Sequence, residues 1–139
     1  MRIKVGRRTA QAVAVGALTI GATALATGGA QAVTPPGGAA TCPSNSVCLY
    51  YNSPENGWGA FEHFSPGQHG LDLSRFKFTN HGNTGNGYGY VIAMNAASIV
   101  NNTDHFVNVY VPAGYYVHYE AHYAGNLNTA YNWDVAMDT

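Results

Sequence analysis

CPSNSVCLYYN, residues 42–52, holds both cysteines of the chain, Cys42 and Cys48, and runs straight into the aromatic stretch Leu49-Tyr50-Tyr51. Whether the sulfurs do chemistry or clasp a strand depends on the compartment, and the first residues speak to that. Arg2, Lys4, Arg7 and Arg8 come first, then the uncharged run AVAVGALTIGATALATGG, then Ala30-Gln31-Ala32. A basic start, an apolar middle and an A-x-A end describe a secretory signal peptide over residues 1–32. Ala10 and Gln11 after the arginine pair favour general secretion over twin-arginine export, and Gly28-Gly29 argues against a membrane anchor. In an oxidising compartment a thiol pair becomes a disulfide. The Cys42–Cys48 spacing is neither a redox C-x-x-C nor half a zinc site. A staple is expected, worth about 2 kcal/mol on the chain-entropy estimate.

Working outward, residues 33–41 (VTPPGGAAT) read as a Pro/Gly/Ala linker with nothing to bury. The domain is expected over 42–139, long enough for one core. Once the signal is removed, only Arg75 and Lys77 face Glu55, Glu62, Asp72, Asp104, Glu120, Asp134 and Asp138, a net charge of −5. A phosphate-backbone binder needs clustered cations, so nucleic acid is excluded, as are anionic membrane surfaces.

The composition predicts short strands. The domain has one Lys, four Leu and ten Tyr, with frequent Val, Thr, Gly and Asn. Alternation places Leu49 and Tyr51 opposite Cys48 and Tyr50, and Ala60, Glu62 and Phe64 opposite Phe61 and His63. RFKFT sets Phe76 and Phe78 against Arg75 and Lys77, and FVNVYV points Val107, Val109 and Val111 to one side. In YVHYEAHY, Val117, Tyr119, Ala121 and Tyr123 turn inward, leaving His118, Glu120 and His122 outside. Asn56-Gly57 and Gly59 suit the first hairpin's turn, and NHGNTGNGYGY, residues 80–90, reads as a mobile surface loop. A faint repeat pairs Val47-Cys48-Leu49-Tyr50 with Val107-Asn108-Val109-Tyr110, and Asn95-Ala96-Ala97-Ser98 with Asp134-Val135-Ala136-Met137. Two four-stranded units packed as an all-β sandwich are expected.

With these segments on view, C-P-S-N-S-V-C-L-Y after a signal and linker resembles the opening of the secreted actinobacterial peptidase inhibitors typified by the Streptomyces metalloproteinase inhibitor. LYYNSPENGWGAFEHF is similar to a crystallin first hairpin, and AMNAASIVNNT and YNWDVAMD to the N-D-x-A-S-S segments. The resemblance spans nearly all of Cys42 to Asp138. It implies a βγ-crystallin-like double Greek key and a non-enzymatic, monomeric protein whose partner is an extracellular metalloprotease or serine protease. It also implies a second Cys pair pinning the reactive loop, which this chain lacks. A crystallin calcium site would draw on Asn95, Ser98 and Asp134. Oxygens are missing at Met94, Trp133 and Met137, so weak calcium binding is the only cofactor expectation. A structural βγ-crystallin-like module or a killer-toxin-like secreted protein is the alternative function.

Other constellations read as ordinary surface. His118, Glu120 and His122 on one strand would span roughly 13 Å, too far for one ion. Glu62 and Glu120 fall on solvent faces with no cleft for a glycosidase pair. No G-x-S-x-G elbow is present. Asn101-Asn102-Thr103 is a glycosylation sequon that a bacterial-type signal leaves unused. Among the aromatics, Tyr51, Phe61, Phe76, Phe78 and Tyr119 are expected in the core, and Trp58, Tyr88 and Tyr90 are the partner-binding candidates.

Overall fold

The Val- and Tyr-rich segments form strands where alternation gives each an inner face, and Gly, Asn and Pro break them. A computed structural model describes residues 42–139. The expected signal peptide (1–32) and linker (33–41) lie outside the described residues. Eight strands form: β1 Val47–Tyr50, β2 Phe61–Phe64, β3 Leu71–Asp72, β4 Ser98–Asn101, β5 Val107–Tyr110, β6 Tyr116–Tyr119, β7 Ala124–Asn126 and β8 Ala136–Asp138. The helical segments among the described residues are single 3-10 turns at Pro54–Asn56, Leu73–Arg75 and Asn128–Ala130.

The strands make two antiparallel sheets, ordered β2-β1-β4-β7 and β3-β8-β5-β6. The halves are therefore not the sheets. Each half keeps its first, second and fourth strands together and gives its short third strand to the other sheet. Val47, Leu49, Phe64, Ile99, Val107, Val109, Tyr119, Leu127 and Met137 fill the space between them. The expected inward row Val107, Val109 and Val111 is buried throughout.

Two expected strands differ. Over 73–79 the chain makes a 3-10 turn, Leu73–Arg75, and one isolated bridge, Lys77 to Val91. Asp72 causes this by accepting hydrogen bonds from the Ser74 amide and hydroxyl, which starts the turn. Phe76 and Phe78 still reach the core. YVHYEAHY stops being a strand at Tyr119, and a turn follows with His122 at φ 60°. Tyr123 re-enters against the core on the far side of that turn. Glu62 is also repositioned: it registers opposite inward-facing Leu49, and its carboxylate accepts from the Thr79 hydroxyl.

A second apolar cluster covers the outer face of the first sheet. It joins Cys42, Cys48, Tyr50, Trp58, Phe61 and Val100. The Cys42–Cys48 disulfide is formed and lies within this cluster.

Candidate contact site

Three regions bear on function: the loop between the halves, the Gly/Asn loop, and the junction around Asp134.

The Asn101–Phe106 loop follows β4 and leads into β5. Asn101 is fully buried and ties the loop from beneath. Its Nδ2 donates to the carbonyls of His105 (2.7 Å) and Glu120 (3.0 Å). Its Oδ1 accepts from the Thr103 amide (3.1 Å) and hydroxyl (2.7 Å). The next residue is gripped by the stapled segment: Asn102 Nδ2 donates to the Cys42 carbonyl at 3.0 Å, and its amide donates to the Ser46 carbonyl at 2.9 Å. Asp104 meets His122 at 3.0 Å. Above this frame Asp104, His105 and Phe106 face solvent, Phe106 being 57% exposed with its ring 4.8 Å from that of His118. Sequence reasoning missed this loop. Asn101 and Thr103 are turn-capping residue types, but Asn101's bond to Glu120 is set by tertiary placement, which no local pattern encodes.

The Gly/Asn loop is tied to the first hairpin at Ala60 and closed at its own base by Phe78, Gly89 and Tyr90. Ala60 N–H donates to the Asn86 carbonyl (2.7 Å), Gly89 N–H to Phe78 (2.8 Å) and Phe78 N–H to Tyr90 (3.0 Å). A Cβ at Gly82 would lie 1.9 Å from the Gly59 oxygen, and one at Gly87 2.0 Å from the Tyr51 ring. Close approach of backbone to its neighbours therefore requires glycine at both. Tyr88, half exposed, stacks on His81 at 4.2 Å, and Tyr90 is 5.6 Å from Tyr51. Both of these partner-binding candidates face solvent. Trp58 is a correction: it is 1% exposed and sits edge-on to Tyr50 at 5.0 Å. It offers a partner no surface because the second cluster needs a large ring to close over β1.

At the third region the loops before β4 and β8 cross-link. Met94 N–H donates to the Asp134 carbonyl (2.7 Å), and Asn132 N–H to the Ala96 carbonyl (2.8 Å). Asp134 is wholly buried, its Oδ1 accepting from the Ala96 amide (3.2 Å) and its Oδ2 having no partner. Burial, only partly offset by backbone hydrogen bonds, pushes its carboxyl up to about 8. The other calcium candidates spend their donors on nearby carbonyls, which leaves their oxygens as acceptors. Asn95 Nδ2 donates to the Val91 and Ala93 carbonyls (3.1 Å each), and the buried Ser98 hydroxyl donates to the Asn52 carbonyl (2.6 Å). Among the described residues no cluster of three or more His, Cys, Asp or Glu could hold a metal. His118 pairs with Glu120 at 3.4 Å while His122 turns to Asp104, so the three residues do not converge.

Residues 35–127 match the family model of peptidase inhibitor family I36. No curated protein and no solved structure matches the chain.

Proposed function

The chain belongs to peptidase inhibitor family I36, and from that premise we propose that it is a secreted, monomeric, non-enzymatic inhibitor that docks its Asn101–Phe106 loop on an extracellular protease. The observation that carries this reading is the buried Asn101 side chain, bonded four ways beneath an exposed Phe106. A loop ordered before contact loses little entropy on docking, and affinity rises accordingly. In related inhibitors a second disulfide is expected to do this bracing; here an asparagine and the Cys42–Ser46 segment do it. The strand exchange between halves supports the βγ-crystallin-like double Greek key as the scaffold.

The test is a titration of residues 33–139 against a thermolysin-like metalloprotease and a subtilisin-like serine protease. At least one should be slowed at micromolar protein. Phe106→Ala should weaken inhibition about ten-fold or more, equivalent to ~1.4 kcal/mol. Inhibition unaltered by Phe106→Ala removes this loop, and no slowing of either enzyme removes both targets.

A second reading, a crystallin-like module with weak calcium affinity, rests on the unpartnered Asp134 Oδ2. A cation held there with Asn95 and Ser98 nearby would supply the missing counterpart. Binding only the folded form must raise the melting temperature. An unchanged midpoint in millimolar calcium at pH 8.5, above the value of about 8 to which burial raises Asp134, disposes of it.

A further inference from the structure

A cavity of about 230 Å³ opens at the other end of the sandwich, lined by Tyr51, Asn52, Asn95, Tyr131 and Asn132. Its position follows from register. Asn101 pairs with Val47 and Ser98 with Tyr50. The Asn101 loop therefore leaves at the start of β1, whereas Tyr51 and Asn52 follow its end and Asn95 precedes Ser98. The cavity is a separate place from the proposed inhibitory loop.

Its chemistry is unusual for so acidic a chain. Three carboxamides and two phenols line it, with no ionisable acid or base among them except the phenols. Two of the amides are fixed in orientation. Asn52 Nδ2 donates to the Asn56 carbonyl (3.1 Å), and Asn95 Nδ2 donates to the Val91 and Ala93 carbonyls. A planar amide held by its nitrogen turns its oxygen the other way, as an acceptor of fixed direction. Asn132 is exposed and adds a whole amide, a donor and an acceptor together. The Tyr51 ring is immobilised by Phe78 at 5.8 Å, by Tyr90, and by the backbone at Gly87. Tyr131, 44% exposed, adds a ring at the rim.

We propose that this cavity binds one ring of a neutral saccharide. Each sugar hydroxyl donates and accepts at once, which suits fixed amide oxygens beside free amide and phenol groups. The lining is almost wholly polar, so hydrogen bonding to the ring's hydroxyls carries the recognition. A cationic or anionic ligand finds no opposite charge in the lining to offset its desolvation. The volume is below the roughly 300–1,000 Å³ of sites for drug-sized ligands and suits a single ring. This proposal does not depend on protease inhibition.

The test uses isotope-labelled protein and its side-chain amide NMR signals. The probes are glucose, galactose, mannose and N-acetylglucosamine, with glucuronate, arginine and calcium as charged controls. At least one neutral sugar at tens of millimolar should shift the Asn52, Asn95 and Asn132 amides in a saturable way. Asn132→Gly keeps the backbone at φ 53° unstrained while removing the amide. Together with Tyr131→Ala it should weaken the response at least five-fold at an unchanged melting temperature. No saturable shift with any neutral sugar overturns the proposal. So does a shift that both variants leave intact, or a response confined to the charged probes.

Discussion

The outer faces of the two sheets are built from repeated strands and have opposite fates. On the first sheet, Cys48 and Tyr50 of β1 point away from the core and are fully buried all the same. The long connection between β1 and β2 folds back to lay Trp58 over them, and the stapled Cys42 closes the far side. On the second sheet the equivalent outward row is Asn108 and Tyr110, beside Tyr116, His118 and Asp138. Its β5–β6 connection turns within Val111–Tyr115, too short to fold back, and Tyr116 stays 55% exposed. Tyr110 settles for a hydrogen bond to Asp138 at 2.7 Å. The difference teaches that a sheet's exterior is decided by its connections, with strand pattern alone leaving it open.

The sharpest way to break this comparison is at two glycines: Gly82, whose loop packs on Gly59 of the β1–β2 connection, and Gly114 within the β5–β6 turn. Gly82→Ala combines a φ of 58° with a Cβ 1.9 Å from a backbone oxygen that cannot yield. Little folded protein should be recovered. Gly114→Ala, at φ 83° with nothing within 4 Å, should lose only the left-handed penalty of about 1–2 kcal/mol. Denaturant melts of both decide it, and equal losses would refute the claim that the first half's loop is locked down. Next comes the cover itself. Trp58→Ala should destabilise by roughly 3–5 kcal/mol, whereas Tyr116→Ala should stay within about 0.5 kcal/mol. If Tyr116→Ala proved the worse of the two, the second sheet's face would be covered in solution.

The smallest effect is at the junction of the halves and depends on pH. Asp134 carries an ordinary value of 3.8 raised to about 8 by burial. The fold therefore favours its protonated form. The associated stability is intact below about pH 4 and drains away as pH climbs through 8. Asp134→Asn keeps an acceptor for the Ala96 amide and carries no proton to lose. Its unfolding free energy should match the parent's near pH 4 and exceed it at pH 9, by about 1–3 kcal/mol of relieved burial. Parallel melting curves from pH 4 to 9 would count against the burial argument.

Much of the second half was legible in the sequence because its strands are short and clean. Val107, Val109 and Val111 alternate without interruption and sit where alternation puts them. The disulfide was legible from the expected compartment and the cysteine spacing. The first half was harder for a physical reason: both faces of β1 are buried, so Cys48 and Tyr50 carry no polar signal for an outer surface. Trp58 read as a contact residue because burial by a distant strand leaves no local mark. For residues 80–90, glycine signals freedom and close packing alike, and only tertiary contact distinguishes them. The exchange of β3 and β7 was equally silent, since such short segments carry too little pattern to name their sheet. The proposed contact loop shares that limit, because the carbonyl at Glu120 that Asn101 reaches comes from another strand's end.

That exchange bears on survival among proteases. Because β3 is seated beside β8, and β7 beside β4, neither half can come loose without stripping a ribbon from the other. Partial opening, the state in which peptide bonds become cleavable, is thereby merged with complete unraveling. When closing outruns cleavage, digestion tracks the population of the opened form. A molecule so interlocked should be cut only about as often as it melts entirely, which suits a member of a peptidase inhibitor family.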